Sequence, residues 1–427
     1  MAVQHRNTNA SELSRGRRAR NLSGTNLKRA GDHNQRVTLH AIRVSGPVTR
    51  ADLARMTGLT AAAIANITKR LLKDRMILEA GTTRGMRGQP ATKLIINPDS
   101  CYSVGLNVDR DHISLVVVDF AGRVRARISR EVMFALPNEV QRFVRRSVRR
   151  LLAKADIDPR DVVGMGVAFP DDIQRAMLPE QPAEYAQWGS VAVDRLLADV
   201  LPVPIFVEND AAAAAMGEMQ FGLGQQYQSF FYVLITAALG GGLVIDGQYF
   251  RGAKGRSGEL GWLRRLEPSG EQRQLQNIVS LSALESLLAR AGYRVDAPRA
   301  LTQLQEPARA VIDGWIESSV EALEECLISI NCLINPEAVL IGGRLPAVLV
   351  DRLAERLNER LRPQEGRIPA VAPIRRAAMS DDAPAVGAAI LPFSARFLPT
   401  RFALMKTSDE VPGVPARSAR AWLLEGE

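Results

Sequence analysis

Side chains suited to reading DNA lie on one face of a predicted helix that starts after residue 60. Ile64, Ile67 and Leu71 recur at helical spacing and indicate its buried face. The opposite face and the residue before the helix carry the candidate contacts, which are Thr60, Ala61, Ala62, Asn66 and Lys69. An asparagine amide can pair with adenine in the major groove, and alanine methyl groups suit thymine. We therefore expect Thr60, Ala62 and Asn66 in the major groove, with Lys69 at a phosphate.

Two further helices and a hairpin are predicted around that helix. Residues 35–44 should form the first helix, ended by Ser45-Gly46-Pro47, and residues 50–56 the second, capped by Thr49. Strands at 76–80 and 93–96 should flank a loop rich in Gly and Arg. This order predicts a winged helix-turn-helix over residues 34–98. The alternative is a three-helix packing module with no DNA contact.

Positive charge is concentrated in the same part of the chain. Residues 1–100 contain 18 Lys and Arg against 6 Asp and Glu, whereas residues 101–427 contain 37 against 40. Residues 1–33 have little apolar periodicity and are expected to form a flexible basic arm. A basic region joined to a nearly neutral body favours a partner with a phosphate backbone, although ribosomal and membrane-surface proteins are also basic.

The remaining composition indicates a cytoplasmic globular protein. The sequence has no apolar run of the roughly 18 residues that a membrane span needs, and its start lacks the apolar centre of a signal peptide. Its three cysteines, Cys101, Cys326 and Cys332, form no CxxC pair and suit a reducing compartment. We expect no cofactor and no contact with a membrane.

Strand-like and helix-like segments alternate after Tyr102, which predicts α/β layers. Strands are predicted at 113–118, 162–168, 204–207, 230–235 and 242–245, and long helices at 138–155 and 309–334. Arginines of the 138–155 helix fall outside its apolar face and are expected to be solvated. The segment 398–427 gives no functional signal.

Several motifs, in this order along the chain, resemble the ROK family (repressor, open reading frame, kinase). They are Thr49–Ala54 with Thr57–Thr60, Gly88-Gln89-Pro90, Glu208–Ala211, Gly258–Gly261, and Asn335-Pro336-Glu337 with Gly342-Gly343. The resemblance implies a winged helix-turn-helix followed by an α/β, actin-like, two-lobed sugar-kinase fold, with lobes at 99–205 and 206–397. It also implies a homodimer or dimer of dimers on a double-stranded DNA operator. The wing residues Arg84, Arg87 and Gln89 resemble a Gly-Arg-Pro wing that enters an A/T-rich minor groove.

The loops that hold ATP in the kinases of this family are altered. The first, expected as Asp-x-Gly-Gly-Thr, is residues 107–111 and ends in Asp109-Arg110-Asp111. The second, expected as Gly-Thr-Gly-x-Gly, is residues 236–240 and retains only Gly240 of its three glycines. Backbone amides must approach phosphates closely, so these changes argue against ATP binding. We expect no catalytic residue.

The resemblance also supplies the expected ligand site. Asp210 aligns with the kinase base; without a phosphoryl donor, Asn209 and Asp210 would hold ligand hydroxyl groups, or would simply cap the helix that follows. Glu259 is expected to contact a sugar. Trp262 replaces the histidine that usually binds both zinc and sugar, and Gln276 replaces a sugar-contacting glutamate. No structural zinc is expected, because the segment to Ser280 contains no cysteine.

Three functions follow. The first is a transcriptional regulator, resembling the xylose-, glucose- and N-acetylglucosamine-responsive repressors, whose kinase-like domain binds a carbohydrate effector without phosphorylating it. The second is a sugar kinase with an added DNA-binding domain. The third is a ligand-independent DNA-binding dimer.

Overall fold

The computed structural model describes residues 27–83, 91–171, 173, 181–267, 270–379 and 382–399. Its first six elements are α1 (Leu27–Ser45), β1 (Val48–Thr49), α2 (Arg50–Thr57), α3 (Ala61–Lys73), β2 (Ile77–Thr83) and β3 (Ala91–Ile96). The strands form a sheet of order β1-β3-β2. Thr49 and Asp52 cap α2 reciprocally, and Gly58 ends it with a φ of 69°. Thr60 caps α3 by accepting a hydrogen bond from the Ala63 amide.

Two details of this N-terminal region differ from the sequence predictions. The helix α1 starts at Leu27, so residues 27–33 are helical rather than part of a flexible arm. Leu27, Lys28, Arg29 and Ala30 are good helix formers, and they extend the helix in front of its periodic apolar stretch. The strand β1 was not predicted, because two residues give no periodic signal; it pairs with Leu94 and Lys93 of β3.

A first five-stranded sheet follows. Its elements are β4 (Tyr102–Val108), β5 (His112–Asp119), β6 (Val124–Glu131), α4 (Pro137–Lys154), β7 (Val162–Ala168), α5 (Val193–Leu197) and β8 (Ile205–Glu208). The sheet order is β6-β5-β4-β7-β8. The first three strands are antiparallel, and β7 and β8 run parallel to β4. The predicted lobe boundary at 205/206 falls within β8.

A second five-stranded sheet has the same topology. The elements of this part are α6 (Asp210–Phe221), β9 (Phe230–Ile235), β10 (Leu239–Ile245), β11 (Gln248–Tyr249), β12 (Arg264–Leu266), β13 (Gln272–Gln274), α7 (Leu281–Arg290), α8 (Ala308–Leu333), β14 (Ala338–Gly343), α9 (Ala347–Leu361), β15 (Ile374–Arg376) and α10 (Ala383–Arg396). The order β11-β10-β9-β14-β15 repeats that of the first sheet, and β12 and β13 form a separate hairpin.

The helices α6 and α10 pack closely between the two sheets. A Cβ atom at Gly387 would collide with the backbone of Ala213, and one at Gly166 with the backbone of Ala388. The alanine-rich sequence of α6 therefore provides a surface that another backbone can approach. The helix α10 packs on β4 and β7, so the chain returns to the first lobe at its end. The prediction that the whole of 206–397 belongs to the second lobe is therefore wrong for α10.

The N-terminal region is packed against this body. Leu39 and Ile42 of α1 share an apolar cluster with Phe120 and Phe393. Arg43 donates a hydrogen bond to Gln220, and its guanidinium lies 5.2 Å from the centroid of the Phe221 ring. The first helix is thus fixed to the end of α6. No helix in the described part of the chain is long and apolar enough to cross a membrane.

Candidate functional site

The third helix presents the predicted DNA-contact residues to solvent. Ile64 and Leu71 are buried and Ile67 is half-buried. The exposed residues of the opposite face are Ala61, Ala62, Ala65, Asn66, Lys69, Arg70 and Lys73, and the cap Thr60 is also exposed. Arg70 and Lys73 extend the face beyond the predicted contacts. The predicted wing contacts Arg84, Arg87 and Gln89 lie outside the described residues.

A side chain that the sequence did not single out links α2 to α3. The guanidinium of Arg50 donates to the hydroxyl of Thr68 at 3.0 Å. The Thr68 hydroxyl in turn donates to the Ile64 carbonyl at 2.8 Å and is fully buried. Thr68 lies on the apolar face of α3, and a buried hydroxyl group needs a hydrogen-bond partner. Its position in the sequence could therefore have suggested such a contact.

A polar cluster that contains the predicted ligand contacts Asn209 and Asp210 lies where β8 meets α6. The side chain of Asn209 caps α6 by accepting from the Ala212 amide at 3.0 Å, and its amide donates to Asp171 at 3.3 Å. Asp210 is 9 % exposed and accepts from the Ala211 amide at 2.8 Å. Burial, and then the negative charge of Asp109, raise the pKa of Asp210 to about 7. Asp210 can therefore accept or donate a hydrogen bond near neutral pH.

Glu259 joins this cluster through Arg256. The guanidinium of Arg256 lies 2.7 Å from the Glu259 carboxylate and 3.9 Å from that of Asp171, which contacts Asn209. A parallel ion pair joins the buried carboxylate of Glu208 to Arg251. The structure thus connects Asn209 and Glu259 through one charged network of alternating sign. Carboxylates and amides so placed can bind vicinal hydroxyl groups.

The other two predicted ligand contacts line a neighbouring cavity. Trp262 is 42 % exposed, and Gln276 donates to Gln274 at 2.8 Å. Both line a cavity of about 610 Å³ between the second altered loop and α7, whose lining does not include Asn209, Asp210 or Glu259. The five predicted contacts therefore form two adjacent groups instead of one.

The first altered loop is filled by its own side chains. Asp109 is 1 % exposed and Arg110 is 5 % exposed. Asp109 accepts from the Arg110 amide at 2.7 Å, and the two side chains lie 3.9 Å apart. The Arg110 amide is therefore paired with a carboxylate inside the protein, and the Asp109 amide donates to the His112 carbonyl.

A buried arginine from the opposite lobe meets the same loop. Arg344 directly follows Gly342-Gly343 and contacts Asp111 at 2.6 Å and Glu131 at 2.5 Å. Burial, and then Asp109, raise the pKa of Asp111 to about 6, whereas Arg344 opposes the rise. Sequence reasoning missed Arg344; two acidic residues in a loop expected to be glycine-rich were the signal that a cation faces them.

The cavity beside this ion pair has both basic and acidic lining residues, and its Arg127 is paired with Asp382. This cavity of about 530 Å³ beside Arg344 is lined by three further arginines, Arg127, Arg130 and Arg299.

Within the ranges that the structure describes, no group of three His, Cys, Asp or Glu side chains could hold a metal ion.

Comparisons with known proteins identify related chains. The chain is 29 % identical over 371 residues to an uncharacterized protein, y4fQ, of Sinorhizobium fredii, which covers 85 % of this chain and 91 % of that protein. It is 27 % identical over 231 residues to a xylose repressor of Bacillus subtilis, covering 53 % of this chain and 59 % of the repressor.

Solved structures show the same fold. A ROK family transcriptional regulator, described as a homolog of the E. coli MLC protein, superposes with a TM-score of 0.62 at 20 % identity, over 88 % of this chain and 99 % of that one. A ROK family glucokinase of Streptomyces griseus superposes with a TM-score of 0.51 at 22 % identity, over 68 % of this chain and 98 % of the glucokinase. The ROK family model matches residues 103–394, and the chain belongs to the ROK family.

Proposed function

We propose that this chain is a DNA-binding transcriptional regulator whose actin-like, two-lobed body binds a sugar or sugar-like effector without phosphorylating it. Asp111 and Arg344 carry the proposal: an ion pair between the lobes stands where a kinase needs open glycine loops. The carboxylate of Asp109 occupies the Arg110 amide that such a loop would offer to a phosphate. Arg344, which could attract phosphates, is already paired with two carboxylates. The body is therefore suited to binding without phosphoryl transfer.

The N-terminal region supports the DNA-binding half of the proposal. Residues 34–98 have the helix order and hairpin of a winged helix-turn-helix, and the exposed face of α3 combines Asn66 with Lys69. Asn66 suits bidentate pairing with adenine and Lys69 suits a phosphate. The relatives include a protein named as a repressor, which favours repression.

Asn66→Ala tests DNA reading. The operator is first found by sequencing genomic fragments that the purified protein retains. Asn66→Ala should then weaken operator binding by about 1 to 3 kcal/mol and relax one operator position. Gln303→Ala, which removes an exposed amide side chain from the body, is the control. Equal losses of affinity for operator and for random DNA would show that Asn66 contacts the DNA backbone and not a base.

The polar cluster at the start of α6 supports the effector half. Asn209, Asp210 and Glu259 offer directed hydrogen bonds in a partly buried place between the two sheets. The indole of Trp262, in the adjacent cavity, provides an apolar face on which a pyranose ring could stack. A ligand spanning both groups would use all five predicted contacts.

A thermal-shift panel of xylose, glucose and N-acetylglucosamine tests effector binding. The parent protein should be stabilised by one of them, and Asp210→Ala and Glu259→Ala should lose that shift while still binding operator. Glu325→Ala, an exposed glutamate on α8, is the matched control. Undiminished shifts in both variants would refute the site. No shift with any sugar would favour the ligand-independent DNA-binding dimer.

One observation favours the kinase alternative. A buried carboxyl group with a pKa of about 7 is typical of a general base, and Asp210 has this property. The kinase function would stand in place of the proposed one if the protein released ADP from ATP in the presence of a hexose and Asp210→Asn abolished that release. We expect no such release.

Assembly and location complete the proposal. We expect a homodimer or a dimer of dimers in the cytoplasm, because two-fold symmetric proteins match palindromic operators. Light scattering that shows a monomer at micromolar concentration, together with single half-site footprints, would contradict this.

A further inference from the structure

The outward face of α4 carries an unusual concentration of arginine. Its inward residues Val140, Val144 and Val148 are buried, whereas Arg142, Arg145, Arg146, Arg149 and Arg150 are exposed. The segment 123–154 contains ten Lys and Arg against two acidic residues, Glu131 and Glu139. The whole body, residues 101–427, has more acidic than basic residues. The segment 123–154 therefore has a clear excess of positive charge within a body whose net charge is negative.

These arginines differ from those on another helix of the same body. On α9, Arg352, Arg356 and Arg360 each contact a carboxylate of α8, at 2.5 to 2.9 Å. On α4, Arg145 pairs with Asp199. Across the described part of the chain, no carboxylate lies within ion-pair distance of Arg146, Arg149 or Arg150. The α9 arginines are neutralised within the fold, and most of the α4 arginines are not.

Three of them line a groove together with a neighbouring strand. A groove of about 490 Å³ between α4 and β6 is lined by Ile128, Ser129, Arg130, Glu139, Arg142, Phe143, Arg146, Ser147 and Arg150. Arg142, Arg146 and Arg150 are four residues apart and so lie on one face, about 6 Å from one to the next along the axis. Like charges at this spacing destabilise a helix. Guanidinium groups in such a row suit a chain of phosphates.

One end of α4 leads to the part of the body that contacts the N-terminal region. Strand β7 begins eight residues after α4 ends, and Val163 of β7 packs in the cluster that joins Leu39 and Ile42 of α1 to the body. The C-terminal end of α4, with Arg149 and Arg150, therefore faces the same end of the body as the N-terminal region.

We propose that the groove between α4 and β6 binds the phosphate backbone of duplex DNA beyond the segment that α3 contacts. This inference rests on the proposed DNA-binding function. The groove is expected to add no base recognition, because arginines in one row can contact successive phosphates without distinguishing base edges. It lengthens the bound DNA and makes its affinity depend more steeply on salt.

The test compares two triple variants of the full-length protein. Arg142→Gln/Arg146→Gln/Arg150→Gln removes the groove arginines. Arg294→Gln/Arg362→Gln/Arg367→Gln removes the same charge from exposed positions of the second lobe. Labelled random-sequence duplexes of about 16 and about 40 base pairs, roughly one and a half and four helical turns, are titrated by anisotropy at several salt concentrations.

The expected result is a change confined to the longer duplex. On that duplex the groove variant should lose about 0.9 of the slope of log affinity against log salt for each phosphate contact removed, so about 2 to 3 in all. On the shorter duplex, and in the control variant, the slope should equal that of the parent.

Three results would overturn the proposal. They are an unchanged slope of the groove variant on the longer duplex, an equal loss in the control variant, and a fall in the oligomer mass of the groove variant without a change in slope. The last result would assign the groove to a second copy of the chain. A parent protein that binds neither duplex would overturn the proposed function itself.

Discussion

Replacing Asp210 with asparagine removes a buried carboxyl group whose pKa the fold raises from 3.8 to about 7. Burial is the largest cause and the charge of Asp109 the next, while Arg110 and the Ala211 amide act in the opposite direction. Asparagine has nearly the same shape and keeps an oxygen that can accept from the Ala211 amide. The substitution therefore removes the titration with little change in packing.

The magnitude follows from linkage between protonation and folding. Between pH 3.8 and about 7, the folded protein binds one more proton at Asp210 than the unfolded chain does. Stability from this group is thus fully present below pH 3.8 and is lost as the pH rises through about 7. One pKa unit corresponds to about 1.4 kcal/mol, so the loss totals about 4 kcal/mol. An asparagine at this position does not titrate, so it would add no pH dependence to the free energy of unfolding.

Urea denaturation of the full-length parent and of Asp210→Asn between pH 5 and 8 measures this difference. The free energy of unfolding of the variant should rise relative to that of the parent by about 1.4 kcal/mol for each pH unit up to about 7. Above that pH the difference should stay constant. Asp111 and Glu285 also have raised pKa values, about 6 and about 7, but both proteins retain them. Asp246→Asn, at an exposed turn with a φ of 51°, is the matched control. Parallel pH profiles of parent and Asp210→Asn would refute the reasoning.

Two further substitutions test the parts of the fold that carry the proposed function. Arg344→Met should lower the free energy of unfolding by about 2 to 4 kcal/mol at pH 7, because Asp111 keeps its charge without a partner. The loss should shrink below pH 6 and in a double variant with Asp111→Asn, and a pH-independent loss would point to packing instead. Thr60→Ala should cost about 1 kcal/mol by leaving the Ala63 amide uncapped, whereas Thr60→Ser should not. Equal stability of all three proteins in urea denaturation would show that Thr60 contributes no cap.

The sequence predicted those elements whose signals are local. The strands at Val162–Ala168 and Phe230–Ile235 have the bounds that their apolar runs predict. The caps Thr49 and Thr60 mark the starts of α2 and α3, because each side chain bonds an amide three residues ahead. Signals of this kind depend on a few neighbouring residues and need no tertiary context.

The sequence did not predict the contacts that join distant segments. Arg344 lies more than 200 residues from Asp111 and Glu131, and nothing near it in sequence indicates an ionic partner. The return of α10 to the first sheet depends on glycines such as Gly105 and Gly166, which admit its backbone. The separation of Trp262 from Asp210 likewise depends on how the loop after Glu259 turns. Resemblance to a family supplied the candidate binding residues, but their grouping comes from the tertiary fold.

The helix α6 physically joins the candidate effector site to the N-terminal region. It begins at Asp210, and its 12 residues extend about 18 Å to Phe221. Gly387 and Ala213 place it in backbone contact with α10, so any displacement of α6 would involve both helices. At its far end, Gln220 and Phe221 contact Arg43 of α1.

Arg43 is the α1 side chain at this junction. Burial lowers its pKa to about 10, and its guanidinium contacts the Gln220 side chain and the Phe221 ring at the end of α6. An effector that drew Asn209 and Asp210 towards Glu259 would pull on α6 along its length. The displacement would change the contact with Arg43, and with it the position of α1, against which α2 and α3 pack. If α3 enters the major groove as proposed, a change in its orientation would alter DNA affinity.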